Sequence, residues 1–222
     1  MMVFFNKLPP CLIGMEACAT AHHWARTLIS SGHDVRLIPP AYVKPYLRRQ
    51  KNDAADAAAI CEAVTRPSMR FVPVKSEEQQ ATLMLHSARE LLVSQRTALI
   101  NAIRGHFAEF GMVVSQGARN VHLLITIILE EDNDDLSVSA RSALLPLATA
   151  LLDLDTQISK LSKAILIAHR RSEVSMRLAT IPGIGPIVAS SLSASIPDAS
   201  LFKCGREFAA YLGLVPRQHS TG

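Results

Sequence analysis

The chain lacks the features that mark several protein classes. It has 222 residues but only four cysteines, Cys11, Cys18, Cys61 and Cys204, far apart and without a CxxC pair. In a chain this large they read as free buried thiols rather than a disulfide frame. A zinc site built from Cys18, His22 and His23 would lack the second cysteine pair that such sites use. Glycine (10) and proline (12) are sparse, which excludes collagen-like and low-complexity chains. Long apolar runs are also absent. The most apolar stretch, Val121 to Leu129, contains His122 and Thr126 and is far short of the about 20 residues that span a bilayer. Mean hydropathy is nevertheless mildly positive at +0.20, so this stretch is a core segment. No Lys/Arg-led signal peptide opens the chain, since the apolar start Met1 to Phe5 is too short. A cytoplasmic protein without membrane contact is expected. Hydrophobic residues make up 49%, enough to offset folding entropy in one ordinary domain or two small ones.

Charge is moderate overall, with a net +4 and a pI near 9.0. Its distribution says more. Residues 1–35 carry two bases and two acids, residues 36–104 eleven bases and six acids, and residues 105–222 ten bases and eleven acids. The excess thus lies in the middle segment, densest at Lys44, Arg48, Arg49 and Lys51. Such a patch attracts a phosphate backbone by counterion release. A solvated basic face fits the charge equally well.

Cys11 to Glu16 reads as a buried strand, Ala21 to Ser31 as a helix capped by Thr20, and Asp34 to Ile38 as a second strand halted by Pro39 and Pro40. Strand, helix and strand within about thirty residues make a βαβ unit and a parallel or mixed sheet. Asn52 to Thr65 is an Ala-rich helix, and Phe71 to Val74 a short extended piece. Ser76 followed by Gln79 forms a capping box, opening a helix that runs to about Phe110. Leu144, Leu147, Leu151, Leu154, Ile158, Leu161 and Ile165 make an a/d-type seam along a helix over Ser137 to Arg170. That seam suits either an intramolecular helical hairpin or self-association. Ile181-Pro-Gly-Ile-Gly-Pro186 is a tight turn between two helical segments. Gly183 and Gly185 there could bring backbone amides to a phosphate, as helix-hairpin-helix modules do, or could serve a purely structural turn.

Three acids could carry chemistry. Glu16 ends a strand, and Asp53 and Asp56 share one face of the following helix. Carboxylates converging from a strand end and a nearby helix are the oxygen ligands Mg²⁺ takes, and paired ions can clamp a phosphodiester displacement. The plainer account is an acidic first turn that favours the helix dipole.

The order and spacing of several motifs shift this balance. These are Gly14-Met-Glu-Ala17, His33 to Ile38, Lys51-Asn-Asp-Ala-Ala-Asp56, Arg70 to Val74, Gln95 to Asn101, Ile181 to Pro186 and Tyr211 to Gly222. Together they closely resemble the bacterial insertion-sequence transposases with a DEDD site, relatives of the Piv DNA invertases. The resemblance implies an α/β, RuvC-like (ribonuclease-H-like) N-terminal portion over residues 1–75, incomplete here. A long helical, coiled-coil-like region over 76–170 follows, then a helical, helix-hairpin-helix-like C-terminal portion over 171–222 with the Gly turn and a Ser motif. It also implies that Glu16, Asp53 and Asp56 are metal-binding catalytic acids, with Mg²⁺ as cofactor. By the same resemblance the nucleophile is Ser220 or Thr221. Lys44, Arg48, Arg49, Lys51, Gly183 and Gly185 would contact DNA. Further partners implied are a structured guide RNA from the element and a second copy of the chain joined through the long helices.

Two departures from the family pattern stand out. No acid precedes Glu16, where the family carries its first Asp, and the chain stops at Gly222. The expectation is a transposase truncated at both ends and impaired in strand transfer. Two other functions compete: a non-catalytic nucleic-acid-binding remnant, and a metal-dependent junction nuclease that uses the carboxylates alone.

Overall fold

The computed structural model describes residues 2–47, 52–115, 117–130, 135–196 and 198–214, apart from the side chains of Ala118, Arg119 and Leu201. Two compact units emerge, Met1–Gln79 with Ala194–Gly222, and Gln80–Ser193. Among the described residues helices dominate, and the first unit holds a small two-stranded parallel sheet.

In the first unit, β1 (Leu12–Glu16) and β2 (Asp34–Ile38) run parallel, with Leu12 opposite Asp34 and Glu16 opposite Ile38. A parallel pair needs a crossover, and α2 (Ala21–Ser30) supplies it, burying Ala21, Ala25 and Leu28 at helical spacing. Their cluster with Ile13, Val35 and Leu37 is the core beneath the sheet. Thr20 precedes this helix but its side chain makes no capping hydrogen bond. Its backbone is already near-helical (φ −104°, ψ −1°), whereas a capping hydroxyl needs an extended backbone to reach the first-turn amides. The apolar start of the chain folds as a helical turn, α1 (Met2–Phe5). Met2 and Phe5 pack on the same cluster, and the Phe5 ring meets His33 edge-on. Beyond the sheet, the Val72 N–H donates to the Leu37 carbonyl at 2.7 Å in an isolated antiparallel bridge.

A second layer consists of α3 (Pro40–Val43), a 3-10 turn at Lys44–Tyr46, and α4 (Asp53–Val64). Ala59, Ala63 and Val64 cluster with Ile38 and Val43. Gly14 sets how close α4 comes to β1. A Cβ at Gly14 would lie 2.9 Å from Val64 Cβ and 3.0 Å from Ile60 Cγ2, inside van der Waals contact. The unit also includes α10 (Gly205–Tyr211), whose Glu207 forms an ion pair with Arg70.

The capping box at residue 76 is reciprocal. The Gln79 N–H donates to Ser76 Oγ at 3.1 Å, and the Ser76 N–H donates to Gln79 Oε1 at 2.9 Å. It starts α5 (Glu77–Glu109). Ser76→Ala is expected to lower stability by about 1 kcal/mol, while Ser76→Thr keeps most of it. Urea titrations of both variants check this.

The second unit holds most of α5, with α6 (Ala118–Leu129) and α7 (Val138–Arg171). Arg89 Nε donates to Ser162 Oγ at 2.8 Å and Arg96 Nη1 to Asp155 Oδ1 at 3.2 Å. As the α5 number rises by seven, the α7 number falls by seven, so the two helices run antiparallel. Ile103, Phe107, Val121, Leu124, Ile128, Leu144, Ala148 and Leu151 form the core between the three helices. Along the seam, Leu144, Leu151, Ile158 and Ile165 are buried within the single chain. Leu147, Leu154 and Leu161 are half-buried. Then come α8 (Glu173–Leu178) and α9 (Pro186–Ser195).

The cysteines are free, but the expectation of burial fails. Cys18, Cys61 and Cys204 are exposed and Cys11 is half-buried. Their local faces point outward, and residue-type preference cannot register that. No helix among the described residues is long and apolar enough to cross a membrane.

Candidate nucleic-acid and carboxylate site

Glu16 stands half-buried at the C-terminal end of β1. Asp53 and Asp56 open α4, exposed and half-buried respectively. Asp53, Asp56, Ile60 and Val64 follow one another at steps of three and four, so they form one stripe of the helix. The far end of that stripe is the part seated on Gly14 of β1. The acids therefore continue a face already turned towards the strand that carries Glu16. Capping of α4 falls to Asn52, whose Oδ1 accepts the Ala55 N–H at 2.8 Å. The Asp carboxylates are spared that role. Glu16, Asp53 and Asp56 form no ion pair or side-chain hydrogen bond among the described residues. Nor, among the described residues, do any three His, Cys, Asp or Glu side chains gather closely enough to hold a metal ion. The donor chemistry suits a hard cation, but as placed the three acids are not a closed ligand set.

Of the basic segment, Lys44 is exposed on the 3-10 turn. Arg48, Arg49 and Lys51 lie outside the described residues, as do Ser220 and Thr221. The glycine turn is well defined. Gly183 has φ +88°, a left-handed conformation that side chains resist. The Gly185 carbonyl accepts the Ala189 N–H at 2.9 Å, with Pro186 at the first helical position, the place where a missing N–H costs nothing. Two buried serines hold the flanking helices. Ser175 of α8 pairs with His169 Nδ1 at 2.7 Å, and Ser190 of α9 with His86 Nε2 at 3.2 Å. Burial, and then the nearby Arg89, hold His86 below the usual imidazole range, so it serves as a neutral hydrogen-bond partner.

One group of side chains is invisible to motif reading. His22 and Arg26, one turn apart on α2, meet Lys75 from 53 and 49 positions down the chain. The i, i+4 spacing of His22 and Arg26 was a signal of a shared basic face, but their partner is not local.

Comparison with known proteins completes the picture. A family model described as a transposase matches residues 4–112, and one described as "Transposase IS116/IS110/IS902 family" matches residues 175–222. A putative transposase of Sinorhizobium fredii is 48% identical over 100% of this chain and 57% of its own length. A probable family 20 transposase of Pseudomonas aeruginosa is 49% identical over 99% of this chain and 65% of its own length. The transposase for insertion sequence element IS1111A of Coxiella burnetii is 41% identical over 96% of this chain and 58% of its own length. The chain thus spans less than two thirds of the length of these relatives.

Proposed function

The chain belongs to the IS116/IS110/IS902 family of insertion-sequence transposases, and from that premise we propose that it acts on DNA in transposition. Residues 1–75 correspond in this reading to a ribonuclease-H-like portion, residues 76–170 to the long helical region, and residues 171–222 to the Gly-turn and Ser portion. The observation that carries the reading is the α4 stripe. Ile60 and Val64, which share the α4 stripe of Asp53 and Asp56, lie against Gly14 of the strand that ends in Glu16, and this supports a role for the three acids together. Unpaired carboxylates on such a face repel one another unless a cation intervenes. Glu16, Asp53 and Asp56 are the residues that would hold Mg²⁺, which when bound neutralises charge around a phosphodiester. Ser220, or Thr221 in its place, is the nucleophile. Its Oγ–P bond forms as a P–O bond of the DNA breaks, and the hydroxyl proton leaves to a base as the departing oxygen gains one. Lys44, Arg48, Arg49 and Lys51 hold backbone phosphates, with the amides near Gly183 and Gly185 adding to them. Pairing of two copies would use apolar residues left exposed on the long helices, such as Met84, Leu91 and Leu152. A structured RNA from the element is a further partner of this reading, in a cytoplasmic setting.

A second reading, a nucleic-acid binder without catalysis, is favoured by one observation: the three acids do not gather into an ion-holding group. One experiment separates the two. The chain is incubated with Mg²⁺ and a plasmid carrying the element's ends, and covalent protein–DNA adducts are resolved under denaturing conditions. The transposase reading expects an adduct that Ser220→Ala or Thr221→Ala abolishes. It also expects Asp56→Asn to reduce the adduct by more than the about 100-fold seen for outer-shell metal partners. DNA binding with no adduct supports the second reading, and an adduct that survives both hydroxyl substitutions overturns the nucleophile assignment.

A further inference from the structure

The contact between His22 and Lys75 brings two donors face to face. The Lys75 backbone N–H donates to His22 Nδ1 at 3.2 Å, which leaves the proton of the neutral ring on Nε2. That Nε2 stands 3.4 Å from Lys75 Nζ, an ammonium with three donors and no acceptor. Arg26 joins them, donating Nη1 to the Lys75 carbonyl at 2.7 Å. Glu77 reaches only 4.0 Å from Arg26 Nε with its side chain 86% exposed, so its counter-charge is weak and screened by solvent. His23, the neighbouring residue, meets the Trp24 ring edge-on.

We propose that His22 Nε2, Lys75 Nζ and the Arg26 guanidinium form a phosphate-binding site that takes a backbone phosphodiester of DNA. An anionic oxygen between Nε2 and Nζ accepts from both and turns a donor–donor conflict into two charge-assisted hydrogen bonds. The electrostatics agree with the geometry. Burial, then Lys75 and Arg26, hold His22 below the usual imidazole range, and burial holds Lys75 below the usual lysine range. In both groups burial is the leading cause, so positive charge is costly at this contact. All three residues are only partly buried, so solvent reaches the site. A single free phosphate gains little there, whereas a polymer gains at each contact it makes. The site rests on the reading of the chain as a DNA-acting protein, and it adds α2 to the elements that contribute phosphate contacts.

The test uses the full chain with isotope-labelled histidine, a short DNA duplex of arbitrary sequence, and inorganic phosphate at matched phosphate concentration. The duplex is expected to raise the midpoint of the His22 titration, because a bound anion favours the imidazolium. The phosphate alone should move it far less. In salt-dependent anisotropy, Lys75→Gln should flatten the slope of log K against log salt by about 0.9, the value of one phosphate contact. Lys75→Arg should retain the slope. An unmoved His22 midpoint with duplex, or an unchanged slope in Lys75→Gln, overturns the proposal. A response to inorganic phosphate but not to DNA also overturns it, and makes the site one for a free anion. The His22 titration needs no variant, so a poorly folding Lys75→Gln does not block the test. A chain that shows the His22 response but forms no covalent adduct keeps this site and defeats the catalytic reading alone.

Discussion

Gly14→Val is expected to separate α4 from β1 and to cost about 3 kcal/mol or more, the upper range for overpacking a well-filled core. The new Cβ would lie 2.9 Å from Val64 Cβ, 3.0 Å from Ile60 Cγ2 and 3.1 Å from Val64 Cγ2. The closest atom is a Cβ fixed to the helix backbone, so no rotamer change relieves the clash and the helix itself must move. Val64→Ala in the same chain should therefore fail to restore stability, because alanine keeps that Cβ. The single tryptophan, Trp24, lies on α2 of this unit, so its fluorescence during urea unfolding reads the loss. The variant should also weaken whatever the α4 carboxylates do, since the stripe that carries them is anchored at this contact. A fluorescence midpoint equal to that of the unaltered chain would refute the proposed seating of α4.

The second large effect is expected in the helical unit. Phe107 is fully buried among Ile103, Leu124, Ile128 and Leu144. Phe107→Ala removes its transfer energy and leaves a cavity where three helices meet, a loss of about 3–5 kcal/mol. Phe110, three residues on and 51% exposed, is the natural control. Its alanine variant should stay within about 0.5 kcal/mol of the parent. Far-UV circular dichroism follows this unit, because α5 and α7 supply 33 and 34 helical residues. Equal losses at the two positions would mean that the aromatic pair is not divided between core and surface in this way.

These two positions differ in how far the sequence foretold them. The helix holding Phe107 was legible from apolar periodicity, and its start from Ser76 and Gln79, because a cap is a hydrogen bond between residues three apart. The strands at Leu12–Glu16 and Asp34–Ile38 were legible too, and the strand–helix–strand order pointed to a parallel or mixed sheet, of which the structure has the parallel pair. The three acids could be named from motif order, and Asp53 and Asp56 could be placed on one helical face from spacing alone. Everything that joined distant segments was decided by the tertiary structure. Gly14 reads as an ordinary strand glycine until α4 lies across it. The helix over Ser137 to Arg170 was legible across Pro146, and α7 does continue through it, with Leu144, Ala148 and Leu151 on either side buried in the core. The seam's leucines suited one chain or two, and burial within one chain is what settles Leu144, Leu151, Ile158 and Ile165. His22 and Lys75 meet across 53 residues, and no local pattern encodes that meeting. The physical reason is the range of the forces involved. Propensity, capping and periodicity act within a turn or two of the chain, so they are written in the sequence. Which faces meet depends on closing long loops and filling one shared volume, and only the folded chain solves that problem.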